Sequence, residues 1–379
     1  MVKKMIGISM LGAGFMGEMH SLSYGTVHRA KTKPQRKARL ITLADTNTGL
    51  AEELRRRYDW EEVAEDWNAA IEHPDVQLFI NAGPNDIHAA PTIAAAKRGK
   101  HLFSEKPLGR NANEAHQIWA AAEEAGVVHM CAFVHRFVPA LQLMRQMIAS
   151  GEVGTVRHFR SNFLMDMQHS DQSISWRYST GRAGGGATGD LGSHHIDQAR
   201  FLVGEVRRVQ AITRTWSKDK NGLLQDVNDD WFLAGAELEN GATASFEASR
   251  VAEGHQLTGR IEVDGTRGTL RWEMERLSEL YLSEPGKGPR RIMVVSPEHP
   301  YSDFWLPVGI QGSFAIGWRD CFSHQAYHML AAIDGAQCAP LGATFEDGYR
   351  VAEIVDAIIR SGENGRNEDV LFRSAEEPG

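Results

Sequence analysis

The 379-residue sequence has only three cysteines, Cys131, Cys321 and Cys338. An odd number, with no pair at metal-ligand spacing, argues against a disulfide framework and against a zinc site. Reduced thiols fit a cytoplasmic protein. No window approaches the roughly 18 continuous apolar residues of a membrane-spanning helix. The opening MVKKMIGISMLGAG runs basic and then apolar, as a secretory signal does. Its apolar stretch is short and breaks into glycines before Glu18 and His20, so it reads as a first β-strand. Positive charge is in deficit: 41 Lys and Arg stand against 49 Asp and Glu, a net charge of −8. That balance gives a nucleic-acid partner no support. The one basic run, Arg29 to Arg39, reads as a solvated loop. Internal repeats and long low-complexity linkers are also missing, so the chain reads as tightly joined units.

What is present describes two domains, roughly 1–135 and 136–379, each large enough to bury its own core. The first alternates short apolar runs with helical patterns. Strands are expected at Met5–Leu11, Arg39–Ala44, Val76–Ala82, His101–Ser104 and Val127–Cys131. Helices are expected near Gly17–His28, Thr48–Tyr58, Ile87–Arg98 and Asn111–Ala125. Such alternation predicts βαβ units and a parallel, doubly wound α/β sheet. After a helix at Pro139–Ser150 the pattern changes. Strand-like runs follow at Arg157–Leu164, Arg207–Thr215, Trp231–Leu238, Ala242–Ser249, Thr258–Val263 and Gly268–Trp272. Asn240-Gly241 is a strong hairpin signal. This second half reads as an α+β domain with a large, mostly antiparallel open sheet. A helix at Leu191–Leu202 interrupts it, and a last one, about 345–360, is expected to lie back on the first domain. Residues beyond Gly362 read as frayed.

The sharpest motif is Gly12-Ala13-Gly14-Phe15-Met16-Gly17, a G-x-G-x-x-G between a strand and a helix. Gly12 suits the tight turn, Gly14 the approach of a pyrophosphate and Gly17 close packing of helix on strand. Phe15 and Met16 open the helix whose amides hold the phosphates. Asp45 ends the second strand, where a carboxylate accepts from the adenosine ribose and repels a 2′-phosphate. NAD is therefore favoured over NADP. Asp45 lies 28 residues beyond Gly17, against an expected ~20, and the basic run accounts for the excess as an insertion. That run also leaves room for a cation near a 2′-phosphate.

Pro84, Asn85 and His88 follow the third strand, and Glu105-Lys106-Pro107 the fourth. The carboxyl ends of strands in an open parallel sheet face the cofactor crevice. A lysine there can polarise a substrate hydroxyl. Asp190 and His194 are spaced i, i+4 and share a helix face. Hydride leaves a carbinol carbon while a base takes the hydroxyl proton, a role that suits histidine. We assign His194 as base, Lys106 as polarising cation and Asp190 as orienter or substrate ligand. Gly184–Gly186 read as permitting a close approach to substrate or cofactor. His195, about 100° around the helix, is expected to point into packing, and no metal site is expected. Arg136 is a candidate near the substrate, with a structural salt bridge as the alternative. His324 and Tyr327, three apart on a late helical stretch, are candidates to face a sugar. Tyr301 to Trp318 is rich in rings, which suit either a pyranose face or packing.

These segments together resemble the Gfo/Idh/MocA family of sugar oxidoreductases. The resemblance rests on G-x-G-x-x-G, Pro84-Asn85 with His88, Glu105-Lys106-Pro107, Trp176-Arg177, Gly184-Gly185-Gly186, Asp190 with His194, and Asp197. It runs through nearly the whole chain, and the aromatic segment is similar to the branch holding levoglucosan and inositol dehydrogenases. It implies a Rossmann domain, a cis Lys106–Pro107 peptide, Trp176 and Arg177 at the cofactor, and a homodimer or homotetramer built on the open sheet. The implied reaction is oxidation of a sugar or cyclitol hydroxyl by NAD. A glycosidase with a recycled NAD and a silent NAD-binding sensor are the competing readings.

Overall fold

The computed structural model describes residues 5–29, 36–167, 175–218, 226–295 and 315–377. The first half is a six-stranded parallel sheet. Its strands are β1 (Met5–Leu11), β2 (Lys37–Ala44), β3 (Glu62–Ala64), β4 (Val76–Asn81), β5 (His101–Ser104) and β6 (His129–Cys131). Their order is β3-β2-β1-β4-β5-β6. Helices α1 (Phe15–Thr26), α2 (Thr48–Tyr58), α3 (Trp67–Glu72), α4 (Ala89–Lys97) and α5 (Ala112–Glu124) connect them. β1 reads apolar at nearly every position because helices cover both its faces; Ile6, Ile8 and Met10 are fully buried. The winding reverses between β1 and β4, which opens a crevice at the carboxyl ends of the strands.

The second half is a nine-stranded sheet, ordered β14-β13-β12-β11-β7-β10-β9-β8-β15. Its strands are β7 (Val156–Leu164), β8 (Val206–Arg214), β9 (Trp231–Leu238), β10 (Thr243–Ser249), β11 (Thr258–Gly265), β12 (Thr269–Glu273), β13 (Glu279–Ser283), β14 (Arg290–Met293) and β15 (Glu368–Asp369). All pairs are antiparallel except β7 with β10. β9 alternates strictly, Phe232, Ala234, Ala236 and Leu238 turned inward and Leu233, Gly235 and Glu237 outward, as a sheet with one covered face requires. The remaining helices among the described residues are α6 (Pro139–Ala149), α7 (Thr180–Ala183), α8 (Ser193–Leu202), α9 (Trp318–Ile333) and α10 (Phe345–Asn364).

The expected β-α grammar appears, with three differences. β3 is three half-exposed residues at a sheet edge, too short to carry a period. β13 and β14 also went unread, their short runs divided by polar residues. The C-terminal end is tied down rather than frayed. A Thr344–Asp347 capping box opens α10, Gly365 at φ +69° closes it, and β15 then pairs with β8. α10 lies between α5 of the first sheet and β8 of the second, so it joins the two halves.

Candidate active site

The crevice over β1, β4 and β5 is a cavity of about 310 Å³, lined by both halves of the chain. Gly12, at φ +101°, could not carry a Cβ, which would lie 2.5 Å from the Ala82 carbonyl oxygen. A Cβ on Gly17 would come to 2.1 Å from the Gly12 carbonyl oxygen, so α1 packs tightly on the turn. A Cβ on Gly14 would meet nothing within 4 Å. Gly14 is also the N-cap of α1 and makes no side-chain cap bond. The helix amides and the space before them therefore suit a diphosphate. Asp45 closes this end: its Oδ2 accepts from the Ala13 amide at 2.7 Å and its Oδ1 from the Asn47 amide at 2.8 Å. Arg39 pairs with Glu61 and Asp75 at the opposite end of β2, and Arg36 pairs with Asp334. Neither is positioned beside Asp45; residues 30–35 of the basic run lie outside the described residues. Asp45→Ala is expected to weaken NAD binding by about 10- to 100-fold, the worth of a charge-assisted hydrogen bond. It should gain on NADP at the same time, as fluorescence titration of both cofactors would show.

At the other end, Lys106 Nζ donates to Asp190 twice, to Oδ1 and to the backbone oxygen, both at 2.8 Å. The Lys106–Pro107 peptide is cis. Behind it, His20 Nε2 donates to Glu105 Oε1 at 2.7 Å, and Glu105 Oε2 accepts from the Lys106 amide at 3.3 Å. Arg177 reaches the free side of Asp190, Nε 3.9 Å from Oδ2, and lies over the Trp176 ring at 4.6 Å. Burial alone would raise the Asp190 carboxyl, but Lys106 and Arg177 outweigh it and hold the acid below its ordinary range.

Asp190 sits on a π-helical turn, Thr188–Gly192, that runs directly into α8. Such turns inside helices often mark functional sites. His194 follows in the first turn of α8. Burial pushes its imidazole well below the ordinary value, and the nearby Lys106 charge lowers it further, with smaller effects from His135 and His195. His194 is therefore a neutral ring. His195 stacks on Phe163 at 5.2 Å.

Of the other sequence candidates, Gly12, Gly14, Phe15, Met16, Asp45, Pro84, Asn85, Glu105, Lys106, Trp176, Arg177 and Asp190 line the cavity. Asn85 also donates to the Ala183 carbonyl oxygen at 2.8 Å and so bridges the halves. His194 is not among the lining residues. Four further candidates do something else. His88 is fully buried, its ring nitrogens 2.9 and 3.0 Å from the Pro107 and Gly83 carbonyl oxygens; it joins two crevice loops rather than touching a cofactor. Arg136 is turned into the core, Nε donating to Asp197 at 2.9 Å and Nη1 to the Pro340 carbonyl at 3.0 Å. It is the structural salt bridge, because a sealed guanidinium needs a carboxylate. His324 is buried, with Nδ1 donating to the Phe137 carbonyl oxygen at 3.2 Å. Tyr327 lies on the same helix, packed against the core. Neither lines the cavity. The glycine run also serves another purpose. A Cβ on Gly184 would be 2.0 Å from the Arg110 carbonyl oxygen, and one on Gly186 1.8 Å from that of Asp229. Gly184 lets backbone meet backbone between the halves, and Gly186 does so within the second half. Most of the Tyr301–Trp318 segment lies outside the described residues.

Two residues of the site, His20 and His135, were not picked out. His20 and Glu105 are 85 positions apart, and nothing in the sequence pairs them. His135 lies in a segment that drew notice for Arg136, yet His135 is the one against His194.

Fold and site together define an oxidoreductase with a dinucleotide crevice. Residues 6–133 match the profile of the oxidoreductase family with an NAD-binding Rossmann fold, and residues 141–271 match the GFO/IDH/MocA C-terminal domain. The chain is 34% identical over 384 residues to levoglucosan dehydrogenase of Pseudarthrobacter phenanthrenivorans, covering 94% of this chain and 96% of that one. It is 30% identical over 265 residues to scyllo-inositol 2-dehydrogenase (NAD(+)) of Bacillus subtilis, covering 69% and 72%. A solved levoglucosan dehydrogenase in complex with NADH superposes with a TM-score of 0.91 at 33% identity, over 97% of this chain and 100% of that one. A further structure of that enzyme holds NADH and levoglucosan, with a TM-score of 0.90. The chain belongs to the Gfo/Idh/MocA family of oxidoreductases, and its N-terminal half is that family's NAD-binding Rossmann domain.

Proposed function

We propose that the protein oxidises a secondary ring hydroxyl of a pyranose, anhydrosugar, glycoside or cyclitol to the keto product. The observation that carries this reading is the Lys106 ammonium held by Asp190 in the crevice wall, with the His194 imidazole close enough for the Lys106 charge to lower it. When bound, the nicotinamide supplies the hydride acceptor. Lys106 donates to the substrate oxygen and stabilises its growing negative charge. His194, kept neutral by burial, accepts the hydroxyl proton. Asp190 balances the lysine and orients it, and its second oxygen is free to hold a neighbouring hydroxyl. The levoglucosan- and inositol-oxidising relatives support a ring substrate. We place the enzyme in the cytoplasm and assign association into dimers or tetramers to the open face of the nine-stranded sheet, where Ile212 and Leu233 are exposed.

The test is a panel of sugars and cyclitols, levoglucosan included, with NAD or NADP, read by NADH absorbance. Substrate-dependent NADH accumulation supports a dehydrogenase. Glycoside cleavage with no net NADH would point instead to an NAD-recycling glycosidase, and binding without turnover to a sensor.

A further inference from the structure

A histidine base is ordinarily oriented by a hydrogen bond at the ring nitrogen facing away from substrate, often to a carboxylate. His194 departs from this. Its Nδ1 is sealed from solvent and has no hydrogen-bond partner among the described residues. Asp190, the nearest acid in sequence, is engaged by Lys106. What surrounds the ring is a wall of other rings. His135 lies closest, centroids 4.5 Å apart and planes inclined by 32°. Phe163 is at 6.1 Å and Phe133 presents an edge at 6.3 Å.

His135 itself is buried, and its Nδ1 also lacks a partner among the described residues. It stands in the turn 134–137 that follows β6, backed by Trp272 at 6.2 Å. We propose that His135 is a positioning residue: its ring, packed on His194, sets the plane of the base and keeps water from its inner edge, in place of an orienting carboxylate.

The inference rests on His194 being the base. The consequence follows from what faces His194. These groups are Lys106 from the loop after β5, His135 from the turn after β6, His195 from its own helix, and Asp190 acting on it across Lys106. β7 contributes Phe163, which has no charge. Burial is the largest cause of the lowered imidazole pKa, and Lys106 comes next. His135 is itself pushed down to about 3 by burial and by Lys106, so it is a neutral ring. As a neutral aromatic face it weighs on the base less than burial or Lys106 does. It also offers a π surface to the imidazolium that forms when the proton is taken. Removing that face admits water and loosens the ring, while a phenyl in its place keeps the wall dry and flat.

The experiment is histidine 13Cε1 NMR on the full-length protein with NADH, the His194 resonance being identified by its loss in His194→Asn. In the wild type and in His135→Phe, His194 should stay neutral to well below the ordinary histidine range. In His135→Ala it should titrate closer to that range, with kcat down about tenfold from misplacement of the base and NADH affinity unchanged. An unmoved His194 titration in a His135→Ala protein that still binds NADH would overturn the proposal, as would a His135→Phe protein that behaves like His135→Ala. The NMR reading needs no substrate, so it stands apart from the sugar assignment. Turnover in His194→Asn equal to wild type would instead sink the assignment of the base.

Discussion

Lys106→Met is expected to lower kcat by about a thousandfold, within the range of a positioned proton donor or charge, while NADH affinity changes little. Methionine matches the length of lysine and keeps its packing, so the change removes the ammonium alone. Two hydrogen bonds to Asp190 go with it. Asp190 then keeps only the distant Arg177, 3.9 Å away, and its hold on the lowered range slackens. The developing alkoxide loses its nearest cation in a partly buried site, where a charge counts for more than in bulk water. Lys106→Arg should rescue poorly. The planar fork is longer than the ammonium it replaces, and the lysine must meet a carboxylate oxygen and a backbone oxygen of the same residue. Single-turnover measurements with saturating NAD separate chemistry from product release. A loss smaller than tenfold would mean that Lys106 stands beside the reaction rather than in it.

Asp197→Ala is expected to destabilise the protein by about 3–5 kcal/mol, the cost of stripping one partner from a sealed ion pair. Arg136 and Asp197 are both essentially inaccessible to solvent, with Nη2–Oδ1 at 2.5 Å. The pair continues through Asp347, 3.2 Å from Arg136 and 3.0 Å from Arg200, and on to Glu205 at 2.8 Å from Arg200. This chain of charges ties the turn after β6, helix α8 and the start of α10 into one block. Truncating Asp197 leaves the guanidinium with Asp347, already shared with Arg200, and a carbonyl. Asp197→Asn, which keeps an acceptor of the same shape, should lose less. Urea midpoints of the three proteins give the comparison. Equal midpoints would show that the network adds nothing to stability. Because α8 carries His194, the weakened block should also lose activity before it unfolds.

Much of this was open to a reader of the sequence. The G-x-G-x-x-G turn fell between a strand and a helix, and Asp45 at the end of the next strand, because local geometry alone requires glycine and a carboxylate there. Lys106, Asp190 and His194 were legible from residue type and spacing together with the family likeness. The parts that misled were those whose meaning depends on a partner far along the chain. Arg136 and His135 are neighbours, and nothing local says which enters the core and which meets the base. Asp197, 61 positions further along the chain, captured Arg136. His88 and His324 looked like polar groups with a task, and each was satisfied by a remote carbonyl oxygen instead.

The sequence alone determined the α/β order, the nucleotide turn and the preference for NAD, and it offered Asp190, His194 and Lys106 as the groups the proposed mechanism uses. These depend on backbone conformation and residue chemistry within a few positions. Tertiary structure decided that the glycine run joins backbones, that His20 backs Glu105 and that a ring wall rather than a carboxylate holds His194. Each of those is a contact between segments dozens of residues apart, and burial, which sets the charge state of every group in the site, exists only once the chain has closed around it.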